Sequence, residues 1–223
     1  MPYLRRSLPV RKIRPERVAS VLARQKGYTL LELAIIAMFL GLLSVFSIQQ
    51  LSTTVTYAYQ ATALRETTRK LAEGWNVLRQ VCGVSSTAVT TTSLGNGTGT
   101  AAVNNLALIA GLTSAAAGYA GCYNSTGLRP LYPAVGGTAV APKVLDFDVS
   151  WTHTVVNGNR ALILSYAGVP DEVVLSAFQR YSHVAGASGT AVLAAATTNT
   201  TDAAVRFTAS VAGKRTLSLI HPL

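Results

Sequence analysis

Residues 28–48 read YTLLELAIIAMFLGLLSVFSI, and within this run the only charge is Glu32. As a helix the run spans roughly 30 Å, about one hydrocarbon thickness. Two ordinary readings apply: a transmembrane helix, or the apolar core of a cleaved signal peptide. A signal peptide is cut after its apolar stretch, at small residues. Ser44-Val45-Phe46-Ser47 matches that pattern only weakly. Neither reading accounts for Glu32, because an ionised carboxylate near the start of a spanning helix is costly unless it is paired.

The segment in front is basic. Arg5, Arg6, Arg11, Lys12, Arg14, Arg17, Arg24 and Lys26 stand against the single acid Glu16, and they supply most of the formal net charge of +10. Such a run is read either as a nucleic-acid arm or as a cytoplasmic-side feature that fixes membrane orientation. The apolar run that follows at once favours the membrane reading, and no nucleic-acid partner is expected. The chain of 223 residues is 49% hydrophobic and 13% charged. That excludes a disordered chain and leaves room for one well-buried domain plus an appended segment.

Lys26-Gly27-Tyr28-Thr29-Leu30-Leu31-Glu32 resembles the prepilin peptidase site of type IV pilins and type II secretion pseudopilins. In that family a basic leader ends in Gly, cleavage follows the Gly, the new N-terminus is methylated, and the fifth mature residue is Glu. The resemblance implies cleavage between Gly27 and Tyr28, N-methylation at Tyr28 and an assembly role for Glu32. It covers about the first quarter of the chain. The long leader and large mature chain are similar to the type IVb pilins of thin conjugative, bundle-forming or toxin-coregulated pili. Tyr28 departs from the usual Phe or Met. Gly41 sits where the family often has a helix-loosening Gly, and Gln49 stands where a Pro is often found.

Physical chemistry gives the spacing a purpose. Cleavage creates an amine at Tyr28, and in a filament the apolar helices pack side by side in a low-dielectric core. Glu32 can then neutralise the amine of a neighbouring subunit. At ~4 Å and an effective dielectric near ~20 the attraction is on the order of 4 kcal/mol before desolvation. An unpaired buried acid is costly, so packing favours the register in which it is paired. The competing reading is that Glu32 snorkels to the interface of a plain anchor.

Beyond Ile48 the chain turns polar but keeps a helical period. Tyr57, Ala61, Leu64, Thr68, Leu71, Trp75, Leu78 and Cys82 form one stripe of an amphipathic helix, read as core packing with no ligand. Glu66 with Lys70 and Arg69 with Glu73 are i,i+4 pairs on its solvated face. Gly74 is a weak point of about 1 kcal/mol relative to Ala. No Pro interrupts residues 28–81, which predicts one long helix.

Residues 83–142 are rich in Thr, Ala, Gly and Ser. Gly95-Asn96-Gly97-Thr98-Gly99 is a loop without the Lys of a phosphate loop. Asn104 to Leu112 predicts a short helix. Pro130, Pro133, Gly136, Gly137 and Pro142 mark a further irregular stretch. Val144 to Val156 predicts a strand with Val149, Trp151 and Val155 on one face. Asn157-Gly158 is a hairpin turn, and Ala161 to Tyr166 is the returning strand. Pro170-Asp171 opens a helix through Tyr181, with Val174, Ala177, Phe178 and Tyr181 on one face. Val205 to Val211 and Thr216 to Ile220 make a closing hairpin around Gly213.

The cysteines are Cys82 and Cys122, with no CxxC and no metal-ligand spacing. Both follow the apolar run, so both face an oxidising compartment if the chain is exported, and a disulfide is the expectation. It would close a loop of about 40 residues and stabilise by roughly 4 kcal/mol. The alternative is two buried free thiols. In many pilins the bridge instead encloses a segment near the C-terminus, and this chain departs from that.

No enzyme, cofactor or metal site is expected. His153, His183 and His221 are isolated along the chain, and no G-x-S-x-G is present. Asp146 and Asp148 share a strand face, where solvation is favoured over a cation. Asn124-Ser125-Thr126 and Asn199-Thr200-Thr201 fit glycosylation acceptors.

The expected organisation is a cleaved basic leader over 1–27, an apolar transmembrane and assembly half of the helix over 28–50, and its amphipathic half over 51–82. The head over 83–223 comprises a loop region over 83–142 and an antiparallel sheet over 143–223. The expected fold is α+β, the type IV pilin fold of a long N-terminal helix packed on an antiparallel sheet of about four strands. The resemblance implies a pilus subunit that adheres, aggregates or mates. Its partners are a prepilin peptidase, the pilus assembly machinery and other copies of itself in a helical filament. It would pass from the bacterial inner membrane to an extracellular pilus. The alternatives are a minor pilin, a pseudopilin, or a membrane-anchored binding protein that never polymerises.

Overall fold

The computed structural model describes residues 30–129, 135–184, 193–194 and 196–223. The chain divides into two units, residues 1–51 and residues 52–223. Helix α1 (Leu30–Val81) is 52 residues long. Its second half belongs to the larger unit and buries the stripe read from the sequence. Ala61, Leu64, Thr68, Leu71, Trp75 and Leu78 are fully buried, and Tyr57 and Cys82 pack at the margin. The solvated face carries Arg69, which bonds Glu73 at 2.5 Å and Glu66 at 2.6 Å, with Lys70 3.8 Å from Glu66. Gly74 is more than a weak helix former. A Cβ there would lie 2.7 Å from the Ile109 Cγ2, so the close approach of the 101–110 segment to α1 depends on glycine.

After α1 come a 3₁₀ turn (Ser86–Val89), α2 (Ala101–Ala110) and the short α3 (Ala120–Ser125). Thr100 caps α2 through its side chain, and Gly111 ends it at φ 78°, the left-handed geometry that favours glycine. The sheet strands are β1 (Val135–Thr138), β2 (Ala141–Val144), β3 (Phe147–Val156), β4 (Asn159–Pro170), β5 (Val205–Phe207) and β6 (Lys214–Pro222), with α4 (Asp171–Tyr181) between β4 and β5. The order is β1-β2-β3-β4-β6-β5, and every neighbouring pair is antiparallel.

The expected fold is corrected on two counts. The sheet has six strands rather than about four, because the stretch read as irregular forms the β1–β2 hairpin, with Gly137 opposite Pro142. Among the described residues, moreover, no helix is long and apolar enough to cross a membrane. Type IV pilin architecture, with a long apolar N-terminal helix on about four strands, therefore does not describe this molecule.

Packing follows the alternation of the strands. Val149 and Trp151 of β3 are buried, as are Leu162, Leu164 and Tyr166 of β4 and Leu217 and Leu219 of β6; all join Leu64, Leu71 and Trp75 in the main core. Val155, expected on the same face as Trp151, is exposed, because β3 runs on past the core. Val156, Ala161, Ile163 and Ile220 form a separate apolar cluster, so central β4 is buried on both faces. Trp75 and Trp151 meet edge to face at 6.0 Å, and the Trp151 indole donates to the Ala102 carbonyl at 2.6 Å.

The hub of the C-terminal part is Arg215, fully buried on β6. Its Nε pairs with Asp171 Oδ1 at 2.9 Å. Nη1 donates to the carbonyls of Thr208, at 2.9 Å, and Thr197, and Nη2 donates to that of Ala194 at 2.8 Å. A buried guanidinium is tolerated when its donors are satisfied in this way.

Candidate functional site: the apolar start of helix α1

The first turns of α1 carry Leu30, Leu31, Leu33, Ile35, Ile36, Met38, Phe39, Leu40, Leu42 and Leu43, all exposed. Leu30 is 91% exposed and Phe39 64%. With successive side chains about 100° apart, these positions occupy every side of the helix. A helix apolar all round is ordinarily buried among other elements or in a membrane. Gly41 sits within it with nothing within 4 Å of a notional Cβ, and the helix continues unbroken through Gly41 and Gln49.

Glu32 lies in the first turn of α1, where the helix dipole favours a carboxylate. It is exposed and takes part in a polar or electrostatic interaction within the chain. Gly27 and Tyr28, the expected cleavage and methylation positions, lie outside the described residues, as does the whole expected leader over 1–27.

Cys82 and Cys122 are joined in a disulfide, with Cα atoms 5.2 Å apart. The bridge ties the residue after α1 to α3, which has no buried residue of its own. Tyr123 adds a hydrogen bond of 3.4 Å from its hydroxyl to the Leu108 carbonyl.

The remaining candidates are scattered. His153 is on β3, His221 on β6 and His183 just past α4. Burial lowers the pKa of His153, with Arg160 adding to the effect. For His221 burial again comes first and Arg65 second. Among the described residues no group of three or more His, Cys, Asp and Glu could hold a metal ion. Asp148 stays exposed on β3 and pairs with Lys143 at 3.2 Å, while Asp146 lies in the turn between β2 and β3 and so does not share its strand face. Asn124 is exposed on α3. Asn199 Oδ1 accepts the N–H groups of Thr201 and Asp202.

One convergence escaped the sequence. Arg65, Arg160 and His183 line a common cleft although they lie far apart in the chain. No motif or spacing marks them; only the pairing of β4 with β6 beside α1 brings them together. Comparison with family models, with curated proteins and with solved structures finds no match.

Proposed function

We propose that the chain is the structural subunit of an extracellular filament of the type IV pilus kind. A prepilin peptidase cuts it after Gly27, Tyr28 is methylated, and copies polymerise through the start of α1. The precursor waits in the bacterial inner membrane, and the filament serves adhesion, aggregation or mating. The observation that supports this reading is the exposed apolar girth of Leu30 to Leu43. At ~25 cal/mol per Å² of apolar area removed from water, side-by-side packing of identical helices is a strong driving force. Glu32 then meets the amine of a neighbour's Tyr28 and fixes the axial register.

The deciding experiment identifies the first residue, and its methylation, of the protein recovered from cells with a working prepilin peptidase. The expected result is N-methyl-Tyr28, together with surface filaments seen by electron microscopy that vanish in a deletion strain. Recovery of the chain with its arginine-rich lead attached would end the proposal. A Glu32→Leu chain that assembled as well as the parent would remove the register role alone.

A further inference from the structure

A cleft of about 300 Å³ opens where the ends of β3, β4 and β6 meet α1. Arg65, Arg160 and His183 are among the residues that line it. Its apolar wall is Val156, Ala161 and Ile220, all buried. Both arginines are held in place by neutral acceptors. Arg65 Nη1 donates to the Ile220 carbonyl at 2.8 Å, and its guanidinium lies 5.7 Å from the Tyr181 ring centroid. Arg160 Nη1 donates to Ser86 Oγ at 2.8 Å. Among the described residues the ion pairs involve other cations, not these two. His183 acts electrostatically on Asp202. Its carboxylate is already engaged: Oδ1 accepts the N–H groups of Ala204 and Val205, and Oδ2 accepts the Ser182 hydroxyl.

A guanidinium carries more donors than one carbonyl or hydroxyl uses, and its fork matches the two oxygens of a carboxylate. Two such groups over an apolar wall select an anion with an apolar body rather than a bare ion. We infer that this cleft is a binding site for a carboxylate carried on a short apolar arm. The inference stands whether or not the chain polymerises. Such a group has two sources: a free carboxylic acid, or the β2–β3 tip of a second copy. That tip carries the exposed pair Leu145 and Asp146, with Leu145 at φ 55°, and it lies at the opposite end of β3 from the cleft.

The test titrates the full chain, solubilised in detergent and labelled at alanine methyls, with 3-methylbutanoate. 3-Methylbutanol and inorganic phosphate serve as the uncharged and the body-less controls. Shifts confined to the Ala161, Ala203 and Ala204 methyls are expected, saturating for the carboxylate alone and weakened about tenfold or more in Arg160→Gln. Arg160 is exposed, so this variant is expected to fold, and its melting curve checks that. Equal binding by parent and variant, equal binding of the alcohol, or no localised shift overturns the inference. Sedimentation of Asp146→Asn separates the sources. Weakened self-association, mimicked in the parent by added 3-methylbutanoate, assigns the site to a second copy. Unchanged association with retained 3-methylbutanoate binding assigns it to a free acid.

Discussion

The hydroxyl of Tyr166 lies 2.7 Å from Thr68 Oγ1, wholly inside the core. The Leu64 carbonyl lies 2.8 Å from Thr68 Oγ1 and 3.4 Å from the Tyr166 hydroxyl, so it accepts from this pair and the three groups together tie β4 to α1. Tyr166→Phe deletes this tie without stranding Thr68, and a loss of about 1–2 kcal/mol is expected in chemical denaturation. Burial, only partly opposed by the bond to Thr68 and by Arg65, raises the phenol's pKa far above its ordinary value of 10.0. Because the folded value is the higher one, its contribution is intact below pH 10 and falls away as the pH climbs beyond it. Ultraviolet titration should find this tyrosine un-ionised until the protein unfolds.

Arg215 is expected to be the costliest single position in the C-terminal half. Arg215→Met removes the ion-pair partner of Asp171, leaving it only the Ser210 hydroxyl among these bonds, and takes a donor from the carbonyls of Ala194, Thr197 and Thr208. A loss of roughly 3–5 kcal/mol follows. Arg215→Lys should recover little of it, since one ammonium cannot reproduce the planar fork. Thermal melts of both variants check the ranking.

Asn104 and Asn105 hold the Thr- and Gly-rich loop before α2. Asn105 accepts from the Leu94 N–H at 2.7 Å and donates to the carbonyls of Val89 and Thr92. Asn105→Ala strands all three, two of them buried, and should cost about 2–4 kcal/mol. Gly97→Ala tests the same loop from the other side, because its Cβ would meet Asn104 Oδ1 at 2.3 Å. Denaturant midpoints should fall for both.

Asp202 governs the acid side of the stability curve. Burial pushes its carboxyl upward, but the hydrogen bonds from Ser182, Ala204 and Val205 outweigh burial and hold it below the ordinary 3.8. A depressed folded value contributes stability above the unfolded one, and that contribution is lost as the pH falls through the folded value. The parent should lose stability below about pH 4 more steeply than Ser182→Ala, in which the carboxyl titrates closer to its ordinary range. Carbon-detected NMR titration of Asp202 gives the shift directly.

Periodicity carried what it could. The α1 stripe was legible because seven turns of a 3.6-residue pattern leave little ambiguity. Asn157-Gly158 was legible because its backbone runs at φ 51° and 80°, which few other residue pairs accept. The β1–β2 hairpin was not, since Gly136, Gly137 and Pro142 are poor strand formers and pair only because β3 offers an edge. Nor were Arg215, Asp202 and Asn105. An isolated polar residue looks the same in sequence whether it faces solvent or satisfies three buried groups. At the functional end, the run from Leu30 was plain as composition, and the bridge between Cys82 and Cys122 followed from their place after it. The cleft of Arg65 and Arg160 is a product of topology alone.

The bridge at the end of α1 also decides how the molecule takes mechanical load. Cys82 follows the last residue of the helix, and its covalent partner lies 40 residues onward. Tension applied along the helix axis passes through sulfur to α3 without paying out the intervening chain. Roughly 140 Å of slack, at ~3.5 Å per residue, is thereby withheld. Single-molecule stretching should reveal that extra length only after a reductant is added.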